Sequence, residues 1–236
     1  MILPCFRYNQ IFQGFKKFSS HVSIRQIFGT TKERQEKREK ILAELKKGYI
    51  NDLKEVRTTG GKRYLALSEP FPKEESTVLP SIQGMALAGQ TVTLPQDCRG
   101  SVTLLLLWTR QHGQKACDMY RNTFWKNFKT IRNTNYYEVN LIDNWLFRKM
   151  RLFINTNLQK QIPLDRQDRF LCCYDGASEI VDKLFENSLV GHAILLDHSG
   201  LVRWTAHGPP TDEELLYLTK CTNNLHNEIP GTKLTN

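Results

Sequence analysis

The eight residues from Val102 to Thr109, VTLLLLWT, constrain this chain more than any other segment. An unbroken apolar run of this length, rich in Val, Leu and Trp, reads as a strand covered on both faces. Such a strand belongs at the centre of an α/β sheet. After Gly113, the residues Ala116, Tyr120, Phe124 and Phe128 recur every fourth position. That spacing predicts a helix from roughly Gln114 to Lys129 with one apolar face. Tyr136–Leu141 reads as the next strand. The segment Asp143–Lys160 reads as a helix closed by Pro163, Phe170–Tyr174 as a short strand and Ser178–Asn187 as a helix.

Gly191–Leu196 and Leu201–Thr205 flank Asp197-His198-Ser199-Gly200, a hairpin signal. Gly208, Pro209 and Pro210 then break the chain, and Thr211 with Glu214 forms a Thr-x-x-Glu capping box that starts a last helix through Leu225. Parallel units that end in a hairpin and a helix predict a thioredoxin-like sheet.

The net charge of +9 is unevenly placed. Arg7, Lys16, Lys17, Arg25 and Lys32 stand in a stretch from Met1 to Lys32 that has no Asp or Glu and is rich in Phe and Ser. This is the composition of a mitochondrial presequence, whereas a secretory signal needs an apolar run that these residues interrupt. The predicted organisation is a presequence over 1–28, a charged helix over 29–61, a linker over 62–88, the thioredoxin-like domain over 89–228 and a tail over 229–236. Outside the presequence the longest apolar run is far shorter than the ~20 residues of a membrane span. The basic residues do not cluster with exposed aromatics, which argues against a nucleic-acid partner.

Chemistry has few footholds. The six cysteines form no CxxC, which argues against a disulfide scaffold or a zinc ribbon. In redox members of the thioredoxin-like superfamily the turn after the central strand holds the reactive thiol, where helix N–H groups stabilise a thiolate. Here that turn reads Thr109, Arg110, Gln111, His112, Gly113, Gln114 and Lys115. Cys117 lies further into the helix, and its place after Ala116 predicts a structural residue. Cys172 and Cys173, adjacent in a strand, are expected to point to opposite faces. A metal set of His112, Cys117 and His192 would need ligands from separate elements; no metal, cofactor or catalytic residue is assigned.

TLPQDCRGSVTLLLLW resembles the entry to thioredoxin-like and peroxiredoxin-like domains, and GHAILLDHSGLVRW with GPPTDEEL resembles their closing hairpin and helix. The place where redox members of that superfamily carry a cis-proline holds Val190, Gly191 and His192. LLLLWTRQHGQKACDMYR, YYEVNLIDNWLFRKMR and VGHAILLDHSGLVRWTAHGPPTDEEL, in that order behind a presequence and a charged helix, resemble the mitochondrial ATP synthase assembly-factor family of fungi, the ATPase complex subunit ten. The resemblance implies a chaperone, not an enzyme, on the matrix side of the inner membrane as a peripheral protein. It would bind newly made Fo subunit 6 (subunit a) and promote its association with the c-ring. The candidate client-binding residues are Arg110, Gln111, His112 and Gly113 at the turn, with Trp145, Phe147, Arg148 and Met150 from the apolar and basic segment. The alternative is a mitochondrial thioredoxin-like thiol or metal-handling protein using Cys117 and His112.

Overall fold

The structure is a computed structural model that describes residues 50–231. The chain divides into two units at residue 50, and the second, Asn51–Asn236, carries the fold described below. The expected presequence, most of the charged helix and the last residues of the tail lie outside the described residues.

Eight strands form one sheet: β1 (Thr77–Val78), β2 (Ile82–Ala86), β3 (Thr91–Leu94), β4 (Val102–Trp108), β5 (Thr134–Leu141), β6 (Phe170–Cys173), β7 (His192–Leu196) and β8 (Leu201–His207), in the order β1-β8-β7-β4-β5-β6-β2-β3. Residues 50–59 are helical, and after them the described residues form α1 (Gln111–Phe128), α2 (Trp145–Lys149), α3 (Arg151–Gln161), α4 (Ala177–Leu184) and α5 (Asp212–Asn227). All seven residues of β4 are buried. Leu104, Leu106 and Trp108 face a core shared with α1 and α5, while Leu105 and Leu107 face a second core shared with α4. A strand that buries both faces cannot alternate apolar with polar residues, which is why its sequence is continuous. β4 pairs in parallel with β5 and antiparallel with β7, and β7 pairs antiparallel with β8. Strand–helix–strand followed by a hairpin and a helix, in the order β8-β7-β4-β5, is the thioredoxin-like arrangement.

The N-terminal half of the sheet's outer strands departs from the expectation. The stretch 62–88, expected as a linker, supplies β1 and β2, and β3 completes a hairpin with β2. Ahead of these strands, residues 62–71 are bolted to the domain. Lys62 pairs with buried Glu214 and donates to the His207 carbonyl at 2.7 Å. Ala66 N–H donates to Glu214 at 2.8 Å, Trp204 Nε1 donates to the Leu67 carbonyl, and Phe71 and Arg203 exchange hydrogen bonds. Glu214 also completes the capping box with Thr211. Such a buried acid is tolerable because each of its oxygens has partners.

The expected Asp143–Lys160 helix breaks at Met150, giving α2 and α3. Asn144 caps α2, its side chain accepting from Leu146 N–H at 2.9 Å. In β6, Cys172 faces the α1 side and Cys173 the α4 side, as adjacent strand residues must.

Candidate functional site

The parallel strands β4, β5 and β6 end side by side, so the loops that leave them converge. Ligands of open α/β sheets gather at such carboxyl ends. The first loop holds Thr109 and Arg110, the second Asp143 and Asn144, and the third Asp175 and Gly176. Two ion pairs link them. Arg110 meets Asp143 at 3.2 Å, and Arg148, from α2, meets Asp175. Both pairs are solvent-accessible and so fix geometry more than stability. The structure therefore brings the two groups of predicted client-binding residues, the turn and α2, to one end of the sheet.

These residues divide by exposure. Gln111 and His112 are exposed in the first turn of α1, and Arg110 precedes it in an extended conformation. Trp145 and Arg148 are exposed on α2, with Lys149 over the Trp145 ring at 5.2 Å. Phe147 instead packs against the main core, and Met150 sits half-buried at the α2–α3 break.

Gly113 is buried because the backbone of β7 runs against it. A Cβ on Gly113 would lie 2.8 Å from Gly191 N, and one on Gly191 would lie 2.3 Å from the Gly113 carbonyl oxygen and 2.8 Å from Cys117 Sγ. Two glycines thus let α1 close directly onto the start of β7. Beneath them Cys117 is buried, its thiol 3.6 Å from the Leu107 carbonyl and 3.7 Å from the His192 carbonyl. Burial, and then the charge of Asp118, hold its pKa well above the ordinary thiol value. Cysteine reacts as thiolate, so this one is chemically quiet. Cys98, Cys172, Cys173 and Cys221 are also buried and free, with pKa values pushed up by burial to about 12, 12, 11 and 12.

His112, Cys117 and His192, the three residues that a metal would have needed, are not brought together. Cys117 belongs to the α1 side of the sheet, whereas the His192 ring stacks on Phe185 and lies near His207 on the α4 side. Among the described residues, no group of three or more His, Cys, Asp or Glu is placed to hold a metal. His192 is buried enough that its pKa falls to about 4, with the neighbouring His207 adding to the effect. Both line a cavity of about 200 Å³ that opens between Arg63–Tyr64, β1 and the β7–β8 pair. His207 Nε2 accepts from Arg63 N–H at 2.9 Å.

The contacts of the segment before β1 escape sequence reasoning. Asp52 accepts from Ser188 N–H and Oγ, and Arg63 bridges Glu55 and Glu186. Only Gly60-Gly61 hints at them: a Cβ on Gly208 would lie 2.1 Å from the Gly61 carbonyl oxygen, so that crossing also needs glycine.

A family described as "ATP10 protein" matches residues 7–225. The probable mitochondrial ATPase complex subunit atp10 of Schizosaccharomyces pombe is 26% identical over 203 residues, covering 86% of this chain and 74% of that protein. The mitochondrial ATPase complex subunit ATP10 of Candida glabrata is 22% identical over 222 residues, covering 90% of this chain and 80% of that one. Among solved structures, a DsbF homologue from Corynebacterium diphtheriae aligns with a TM-score of 0.45 at 15% identity, covering 66% of this chain and 92% of that one. A thiol:disulfide interchange protein DsbE from Chlorobium tepidum aligns at 0.43 and 20%, covering 62% and 96%.

Proposed function

The chain belongs to the ATP10 protein family, and on that premise we propose that it is a non-enzymatic assembly factor of mitochondrial ATP synthase. It acts at the matrix side of the inner membrane as a peripheral protein. Its client is newly made Fo subunit 6 (subunit a), which it holds until that subunit associates with the c-ring. The observation that carries the reading is the extent of the family match, residues 7–225, which takes in the basic N-terminal stretch as well as the folded domain.

The geometry supports a binding role over thiol chemistry. A chaperone needs an accessible surface with apolar and charged groups side by side, and Arg110, Gln111, His112, Trp145 and Arg148 supply one where three loops meet. Gly113 contributes by letting α1 seat on β7, and Phe147 and Met150 by anchoring α2. A thiol enzyme would need Cys117 reachable and ionisable, and its burial opposes both.

The test is recovery of radiolabelled subunit 6 with the tagged protein from mitochondria translating their own genes. Early, specific recovery that falls several-fold with Arg110→Glu, at unchanged thermal stability, is the expected result. Undiminished assembly of subunit 6 in mitochondria lacking the protein would refute the proposal.

A further inference from the structure

From Asn144 to Pro163 the chain carries Arg148, Lys149, Arg151 and Lys160 and no acidic residue. The fold uses one set of apolar side chains from this stretch for packing: Ile154 and Leu158 turn toward the main core. A second set stays outside. Leu152 is 79% exposed, Phe153 53% and Trp145 53%. α3 is thus apolar on its inner and its outer face, and among the described residues nothing in the packing accounts for the outer one. Among the described residues, no carboxylate pairs with Lys149, Arg151 or Lys160.

We infer that the outer face of α2 and α3 docks on an anionic lipid bilayer, with Leu152 and Phe153 entering the headgroup–acyl boundary and Lys149, Arg151 and Lys160 meeting lipid phosphates. A helix that lies in the interface needs this combination, an apolar stripe bordered by cations and free of acids. Charge complementarity selects the occupant. An apolar protein surface would cover Leu152 and Phe153 but leave three cations beside them unmatched, whereas an anionic membrane serves both. The contact is superficial: no helix among the described residues is long and apolar enough to cross a membrane. An aromatic side chain such as Trp145 is suited to the headgroup level. The inference rests on the proposed function only for the presence of a membrane near the protein.

The experiment is flotation and Trp emission of the full chain with vesicles of phosphatidylcholine alone or with cardiolipin. Trp108 and Trp204 are buried and Trp125 is half-buried on α1 against Tyr136 and Arg169, so Trp145 is the main reporter of a new contact on this face. Cardiolipin vesicles are expected to bind the protein and shift emission to the blue, and Trp145→Phe to abolish the shift. Binding should weaken as salt rises. Replacing Lys149, Arg151 and Lys160 by Ser should weaken it about a hundredfold, from roughly fivefold for each charge near the surface. Leu152→Ser with Phe153→Ser should weaken it too, at an unchanged melting temperature. The basic stretch Met1–Lys32 is present in every variant, so equal binding by the wild type and the triple variant, or a shift that survives Trp145→Phe, overturns the assignment. Emission that moves with detergent-solubilised subunit 6 but not with vesicles makes this face a client contact; it overturns the lipid inference and leaves the proposed function standing. Lipid binding without any recovery of subunit 6 does the reverse.

Discussion

The first turn of α1 and the outer face of α2 and α3 lie near the same end of the sheet and have opposite characters. At the turn, Gly113 and Gly191 bring two backbones into contact over a buried thiol. On α2 and α3, apolar side chains stand in solvent beside Lys149, Arg151 and Lys160, which among the described residues have no carboxylate partner. Where the fold offers a helix N-terminus for chemistry, this chain has closed it. Between β5 and β6, the chain exposes apolar and basic side chains on α2 and α3. The contrast teaches that this chain keeps its one thiol near the turn buried while it leaves apolar and charged side chains exposed on α2 and α3, which is the basis for proposing a binding role.

The sharpest way to break the contrast is to force the closed turn open. Gly191→Ala places a Cβ against backbone and Cys117 Sγ that cannot yield without moving α1. It should cost about 3 kcal/mol, at the upper end for overpacking, measured by denaturant unfolding; a neutral result would mean the turn is loosely packed.

Acidification probes the same region from the other side of the sheet. His192 has its pKa lowered to about 4 by burial and by His207, so the unfolded chain takes up the proton first. Stability is fully present above the unfolded pKa near 6.5 and is lost as pH falls toward 4. The loss should be about 2 to 3 kcal/mol, and unfolding curves of His192→Asn should show a shallower pH dependence. Glu55, Arg63, Glu186 and His207 share that cavity and set the background.

Cys117→Ser keeps the two carbonyl acceptors but puts a hydroxyl where a thiol packs. It should cost about 1 kcal/mol and leave recovery of subunit 6 unchanged. Thiol labelling of the native wild type should miss Cys117 until the protein unfolds. The smallest stability effect belongs to the open face: Leu152→Ser should shift stability by no more than about 0.5 kcal/mol, yet reduce function in mitochondria. A large stability loss there would show that the face is packed after all.

Much of the fold was legible in the sequence, and the exceptions have physical causes. The run Val102–Thr109, the fourfold spacing of Ala116, Tyr120, Phe124 and Phe128, and the Thr211–Glu214 box are signals carried within single elements. β2 hid because its inward positions are Ile82, Gly84 and Ala86, two of them small. Gly84 is small because a Cβ there would come within 3.0 Å of Leu171. A strand whose side chains are trimmed to fit a neighbour loses the pattern that would reveal it. The break at Met150 was equally invisible, since apolar residues continue on both sides. At the site, the types of residue in the turn and in α2 were readable. The Gly113–Gly191 closure was not, because it joins positions far apart in the chain and neither glycine announces its partner.

The most direct test of the central claim, that contact surfaces rather than a thiol perform the function, is site-specific photocrosslinking in mitochondria during labelled translation. Photoreactive residues would replace His112 in the turn, Trp145 on α2 and, as a control, exposed Lys126 on α1. Crosslinks to newly made subunit 6 from His112 or Trp145, absent from Lys126 and undiminished in a Cys117→Ser background, are predicted. Crosslinks that appear equally at Lys126, or that vanish with Cys117, would contradict the account.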